Sequence, residues 1–375
     1  MEKATSKTRI LFVGGGTGGH FYPLMSVAEA LRAHSIDADL YYAGPERYDA
    51  DALASLGIRY LYITAGKKRR YKSFLNFLDA FKILFGTFLA IIRLYILYPD
   101  VILSKGSYTS VPVVLAAGFL RIPIVIHESD AVMGAANKLG KKFAEHVVVT
   151  YDELTTISHQ SVHKLGIPTR AVLLKGPTDQ AISRFNLDPQ RPVVFVIGGS
   201  QGAERINELI LETLDELLVD FSVIHQTGKQ NFELCKATAE SLFKGSDLLK
   251  NYHPLPFLTG EEMNDAYHLA SIVVSRAGST SIYEIALHGK PSILIPIPEE
   301  ISHDQRSNAY AYARIGGGSV MEEKNLTDGL LRAEIDRIMQ DTALYERMSK
   351  AAESFAKPDS AEQVAGLLIG IANTH

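Results

Sequence analysis

Along this chain, short runs of consecutive apolar residues alternate with longer stretches whose apolar positions fall three and four apart. Runs of the first kind at 10–13, 40–43, 101–103, 124–126 and 147–149 predict strands buried on both faces. The spacing of Leu24, Val27, Ala28 and Leu31 predicts a helix over 23–33. Such alternation is the pattern of a parallel, doubly wound sheet. It begins again at Pro192, where 193–197 reads as a strand, 198–202 as a glycine loop and 203–219 as a helix. Further strands follow at 222–225, 272–275 and 292–296. Each half therefore opens on strand, glycine loop and helix, and Gly176, Pro177, Pro189 and Pro192 mark a hinge between them. The expectation is two Rossmann-like α/β domains whose strand ends share one cleft.

One stretch departs from this alternation. Lys67, Lys68, Arg69, Arg70 and Lys72 form a cationic cluster that leads into an apolar run reaching Tyr98. Within it Phe74, Phe77, Leu78, Phe81, Leu84, Phe85, Phe88, Leu89 and Ile92 recur at helical spacing as one dense apolar face. Asp79, Lys82 and Arg93 interrupt the run and argue against a transmembrane helix. An amphipathic helix at an anionic membrane surface, spanning 67–98, fits better, with part of the face packing on the sheet.

Composition narrows the picture only a little. The chain has 375 residues, enough for two domains, and a formal net charge of -4, which gives no general attraction to nucleic acid. Its one cysteine, Cys235, excludes an intrachain disulfide and suits a reducing compartment. The first apolar run passes straight into glycines, so no secretory signal peptide is expected.

Candidate chemistry sits where the predicted strands end. Gly14, Gly16 and Gly19 match G-x-G-x-x-G, a loop that lets an anion or sugar approach the backbone at a helix start. A nicotinamide site would need an acidic residue ending the second strand, which instead ends Tyr41, Tyr42, Ala43 and Gly44. His20 stands at the helix start and suits a general base. His127, Glu128, Ser129 and Asp130 close another strand, where Glu128 or Asp130 would be a catalytic carboxylate or Ser129 or Asp130 a helix cap. In the second half Ser200 would donate its hydroxyl to a phosphate, and Arg276 would offer charge to a leaving diphosphate. Glu284 shares a helix face with Thr280 and would accept both hydroxyls of a ribose, unless it is an ordinary solvated residue. His159 and His163 have i, i+4 spacing without the carboxylate of H-E-x-x-H, so they read as a solvated helix face and not a metal site.

In this order the motifs resemble the MurG family of bacterial glycosyltransferases. The first half contributes the glycine loop with His20, then Ser104, Lys105, Gly106, Ser107 and Tyr108 running on to Val111, Pro112 and Val113, then His127 to Asp130 with Asn137 and Lys138. The second contributes Gly198, Gly199, Ser200, Gln201, Gly202, Ala203 and Asn207; Ser275, Arg276, Ala277, Gly278 and Glu284; Gly289, Lys290 and Pro291; and Gln305, Asn308 and Ala309. The resemblance implies the GT-B fold, with 1–174 and a returning last helix at 358–375 as the acceptor and membrane domain and 175–357 as the donor domain. It implies inverting transfer of N-acetylglucosamine from UDP-N-acetylglucosamine to the 4-hydroxyl of the N-acetylmuramoyl unit of undecaprenyl-linked lipid I. That reaction gives lipid II for peptidoglycan, at the cytoplasmic face of the cell membrane, with neither metal nor cofactor.

The same resemblance implies that Glu284 holds the ribose, that Leu258 meets the uracil through its backbone, and that Ser200 and Arg276 face the diphosphate. Gln201, Gly202 and Asn207 belong to the same donor site, and Gln305 with Ser279 and Thr280 would read the sugar. The backbone of Thr17, Gly18 and Gly19, with Tyr108, His20, Glu128 and Asp130, would surround the acceptor hydroxyl. Three departures stand out. Asp130 replaces a frequent asparagine, Ser107 a usual glycine, and Pro177, Thr178 and Asp179 stand where an arginine is expected, leaving Lys175 or Arg184 to supply it. The rival functions are another GT-B glycolipid synthase, a UDP-sugar epimerase of the same architecture, and a non-catalytic UDP-binding membrane protein.

Overall fold

A computed structural model describes residues 7–66, 74–198, 203–300 and 303–374. The chain divides into two units, one formed by 1–171 with 358–375 and the other by 172–357.

The first unit is built on β1 (Thr8–Val13), β2 (Ala38–Gly44), β3 (Arg59–Tyr62), β4 (Val101–Ser104), β5 (Ile124–Glu128), β6 (His146–Val149) and β7 (Val162–Lys164). All pairings are parallel, in the order β3-β2-β1-β4-β5-β6-β7. The second carries β8 (Val193–Ile197), β9 (Ser222–Gln226), β10 (Tyr252–Leu255), β11 (Ile272–Ser275), β12 (Ser292–Leu294) and β13 (Gly318–Val320). Its order is β10-β9-β8-β11-β12-β13, again parallel throughout. In each sheet the strand order reverses at the first strand, between β1 and β4 and between β8 and β11. Loops leaving two adjacent strand ends diverge at such a point and open a crevice for a ligand.

The central strands carry unbroken apolar runs because helices cover both faces. Ile10 and Phe12 on one side of β1 pack with the Gly18–Ala33 helix, whereas Leu11 and Val13 face a separate cluster with Ala90, Leu94 and Val113. The Ser360–Ala372 helix joins the first cluster through Ala361, Val364, Ala365, Leu368 and Ile371. The core of the second unit centres on Val194, Val196, Ile206, Ile210, Leu214, Val274 and Ile293.

From Phe81 onward the Phe74–Leu97 helix divides its apolar residues between two sides, and the side chains of Phe74, Phe77 and Leu78 lie outside the description. Ala90 and Leu94 are buried against the sheet, while Phe81, Leu84, Phe85, Phe88, Ile92, Tyr95 and Ile96 form an exposed stripe. Phe119, near the end of the Val111–Leu120 helix that the first one packs on, is exposed as well. The backbone of the long helix comes so close to the β3 side that a Cβ on Gly86 would lie 2.1 Å from the Thr64 carbonyl oxygen. Among the described residues no helix is long and apolar enough to cross a membrane. The cationic cluster at 67–72 lies outside the described residues.

Two local expectations are corrected. The first helix begins at Gly18, so its glycine loop runs directly into helical backbone and Pro23 sits inside it. His159 and His163 share no helix: His163 is in β7, where its Nε2 pairs with His146 Nδ1 at 3.0 Å, and His159 bonds to the Ala144 carbonyl from the preceding loop. A valine before His163 and the short register with β6 favour the extended backbone over a helical turn.

Candidate active site

The end of β1 becomes the glycine loop because nothing larger fits there. Gly16 has a φ of +82°, and a Cβ on it would press within 3.3 Å of the Tyr108 ring. Tyr42, buried below, donates from its hydroxyl to the Gly14 carbonyl at 2.6 Å and would block a side chain at Gly15. Gly18 and Gly19 form the first turn of the helix, and Gly18 lies against Tyr22 and Tyr48. The free N–H groups of that turn are the electropositive end of the helix.

Thr17 occupies the N-cap but does not cap the helix with its side chain. Its hydroxyl lies 2.7 Å from Nδ1 of His20 instead. If Nδ1 carries the proton and donates to Thr17, Nε2 keeps a free lone pair and can act as a base. Burial, and then the nearby Lys105 charge, pull the His20 pKa down to about 4, while Asp130 opposes the fall. The ring is therefore neutral at pH 7, the form a general base requires.

Glu128 is only 4 % exposed and is occupied by its own turn. It accepts from the backbone of Asp130 at 3.1 Å and Gly134 at 2.8 Å, and from the Asn137 amide at 2.9 Å. Burial and the Asp130 charge push its carboxyl upward, against Lys105, Asn137 and Gly134. Asn137 in turn packs under Gly106, whose φ is +86° and whose Cβ would meet the amide oxygen at 2.8 Å. Asp130 and Tyr108 are half-buried beside this turn and the glycine loop. The first unit thus brings together Thr17, Gly18, Gly19, His20, Tyr108, Glu128 and Asp130. Ser107 keeps the left-handed φ of +71° that its usual glycine would adopt freely.

In the second unit the loop after β8 carries Ser200, Gln201 and Gly202, which lie outside the described residues. Asn207 is buried, its amide donating to the Thr227 carbonyl at 3.0 Å and its oxygen paired with His225 Nε2 at 3.0 Å. The Ser279–Leu287 helix begins after Gly278 directly beyond β11, placing Ser279 and Thr280 in its first turn. Glu284 follows on the same face and accepts from the Tyr267 hydroxyl at 3.2 Å. Arg276 is mostly buried, donates to the Ile295 carbonyl at 3.2 Å, and forms an ion pair with Glu323. Gln305 accepts from the Ile297 N–H at 3.2 Å, and the Leu258 N–H donates to the Gln226 side chain at 3.2 Å, leaving the Leu258 carbonyl for other partners.

At the hinge, Thr178 donates from both its backbone and its hydroxyl to buried Asp265, at 2.7 and 2.8 Å. Arg184 lies 3.4 Å from the same carboxylate and 3.4 Å from Glu261, so its charge is turned toward the Gly260–Leu269 helix. Sequence reasoning gave no role to three residues that organise these sites: Lys105, named only within its motif, and Tyr267 and Asp265. Lys105 was within reach, since it directly follows a switch-point strand, as Gly14 does. Tyr267 and Asp265 carry no local signal, because their partners are distant in sequence.

Two parallel sheets, each with its candidate residues at a switch point, have the architecture of a GT-B glycosyltransferase. The family models agree: the glycosyltransferase family 28 N-terminal domain matches residues 10–149, and the family 28 C-terminal domain matches 193–364. The chain belongs to glycosyltransferase family 28. It is 35 % identical over 91 % of its length, and 89 % of the relative, to the UDP-N-acetylglucosamine--N-acetylmuramyl-(pentapeptide) pyrophosphoryl-undecaprenol N-acetylglucosamine transferase of Treponema denticola. A Clostridium botulinum transferase of the same name is 34 % identical, with 92 % of this chain and 94 % of that protein aligned. The crystal structure of MurG from Acinetobacter baumannii superposes with a TM-score of 0.75 at 25 % identity, covering 97 % of this chain and 100 % of that one.

Proposed function

We propose that this chain transfers N-acetylglucosamine from UDP-N-acetylglucosamine to the 4-hydroxyl of the N-acetylmuramoyl unit of undecaprenyl-pyrophosphoryl-linked lipid I, giving lipid II. The observation that carries this reading is the relation to transferases of that name over about nine-tenths of the chain. The neutral His20 at the β1 switch point supplies the base such a reaction needs.

In the proposed reaction His20 Nε2 takes the proton from the acceptor hydroxyl. The hydroxyl oxygen forms a bond to the anomeric carbon as the bond from that carbon to the UDP oxygen breaks, inverting the centre. Thr17 holds the ring in the working tautomer. The backbone of Gly18 and Gly19, with Tyr108 and Asp130, orients the acceptor. Glu128 keeps the turn in shape instead of moving a proton, because its oxygens already accept three hydrogen bonds.

On the donor side, Glu284 takes the ribose hydroxyls and the Leu258 carbonyl the uracil. The first turn at Ser279 and Thr280, with Gln305, reads the sugar. The departing diphosphate receives the positive end of that helix and the Arg276 charge, which Glu323 neutralises until the anion replaces it. Ser200, Gln201 and Gly202 would contribute from the preceding loop, and buried Asn207 would hold that loop's helix to β9.

The exposed stripe on the Phe74–Leu97 helix, together with Phe119, supports a peripheral anchor on an anionic membrane at the cytoplasmic face. Labelled UDP-N-acetylglucosamine incubated with a lipid I analogue tests the reaction. Acceptor-dependent label in lipid is expected, with losses of about 100-fold or more in His20→Ala and Glu284→Ala. Tight UDP binding without transfer to that acceptor would overturn the assignment.

A further inference from the structure

Lys105, at the first switch point, carries a charge that the proposed reaction leaves unused. It follows β4 directly, and its backbone N–H donates to the Val13 carbonyl at 2.8 Å, which ties it to the start of the glycine loop. Its side chain runs under that loop, so that a Cβ on Gly14 would lie 2.9 Å from the Lys105 Cβ. The residue is 3 % exposed, and its ammonium donates to the Ser129 hydroxyl at 2.7 Å. A long cationic side chain is seldom buried this deeply unless opposing charges hold it there. Here those charges are Glu128 and Asp130, on the turn after β5. The groups that sense the ammonium in return are His20 from the helix start, His127 from β5 and Glu128.

We propose that Lys105 is a positioning residue for the transfer reaction: its buried ammonium is the fixed charge against which His20 and the Ser129–Asp130 turn are set. The inference rests on the proposed function for its catalytic part only. Lys105 is too buried to touch the acceptor, and acts through its neighbours. Its charge opposes protonation of His20 in the same sense as the positive end of the helix that carries His20, whereas Asp130 acts the other way. It also draws the two carboxylates and Ser129 inward from β5, fixing the side of the crevice that His20 faces. Burial lowers the lysine's own pKa, and the Glu128 and Asp130 charges counter that fall.

The test removes the charge and keeps the hydrogen bond. Lys105→Gln retains a donor toward Ser129, and Lys105→Met removes both. The His20 ring is followed by NMR through a pH titration in the unaltered protein and in Lys105→Gln, which needs neither acceptor nor turnover. The titration midpoint is expected to rise by about one pH unit. The acid limb of the kcat/KM profile should move up with it, and kcat should fall about tenfold or more while the KM for UDP-N-acetylglucosamine holds. Lys105→Arg, which keeps the charge, should leave the limb in place. An unchanged His20 midpoint would overturn the proposal even if activity were lost, because it would make Lys105 a packing residue. A moved midpoint with an unmoved acid limb would also overturn it, by separating the charge from the reaction. Should Lys105→Met not fold, the Lys105→Gln titration decides alone.

Discussion

Individual side chains set the tolerances of both sites. Tyr267 is fully buried and donates its hydroxyl to Glu284, so Tyr267→Phe should take that hydrogen bond from the carboxylate without altering the fold. We expect the KM for the donor to rise by up to about tenfold, with kcat and melting temperature nearly unchanged. Ser107 holds a left-handed conformation that costs a non-glycine residue about 1 kcal/mol or more. Ser107→Gly should therefore raise the urea midpoint, by up to about 1 kcal/mol of stability after the flexibility of glycine in the unfolded chain is counted. His225 accepts from Tyr252 at one nitrogen and donates to Asn207 from the other, and burial lowers its pKa to about 3. The unfolded ring binds a proton below about 6.5 and the folded one does not. Its contribution is thus full above pH 6.5 and lost as pH falls toward 3, at about 1.4 kcal/mol per pH unit. Urea denaturation at pH 7 and pH 4.5 measures the fall.

At the level of elements, the strands visible in the sequence and those that are not divide by position in the sheet. The runs at 193–197 and 272–275 coincide with β8 and β11, central strands covered on both faces and buried at every position, with only Ser275 polar. The strands that left no readable run, β3, β7, β10 and β13, are the four edges of the two sheets. An edge strand is half solvated and mixes residue types, as in β3, where both terminal residues are exposed. The glycine loop, His20 and the Glu128 turn were legible because strand ends and glycines announce themselves locally. Lys105 stands at a strand end in the same way, but its burial cannot be seen from its neighbours in sequence. The double-sided character of the Phe74–Leu97 helix was half legible: its apolar richness and the packing of part of it on the sheet can be read from the sequence, and which positions are buried and which exposed cannot. Leu84→Ser with Phe88→Ser should weaken binding to vesicles of mixed anionic and neutral phospholipid by about tenfold or more while leaving the melting temperature in place. Gly86→Val on the same helix should do the opposite, destabilising the fold by about 2 kcal/mol or more through collision with Thr64, as thermal melting would show.

Across the whole molecule, the second unit is an insertion in the first, which is made of 1–171 and 358–375. The last helix fills its place through Leu368, fully buried, and through Val364 and Ile371 beside the first helix. Removing 358–375 should therefore destabilise the unit that does not adjoin it in sequence. A truncated chain is expected to retain UDP binding by calorimetry and to expose apolar surface, seen as dye binding, from the first unit. Loss of UDP binding with an intact first unit would contradict that division.

The same arrangement orders events during synthesis. A ribosome makes the whole of 172–357 before it makes the helix that completes the first core. The second unit can close on itself while its predecessor still waits with an open groove along the first helix. The apolar residues of that groove are then accessible to chaperones for as long as translation of the second unit takes. The half of the chain with the exposed aromatic stripe is thus the last to finish folding, and its maturation waits on synthesis of the Ser360–Ala372 helix and not on the emergence of its own first strands.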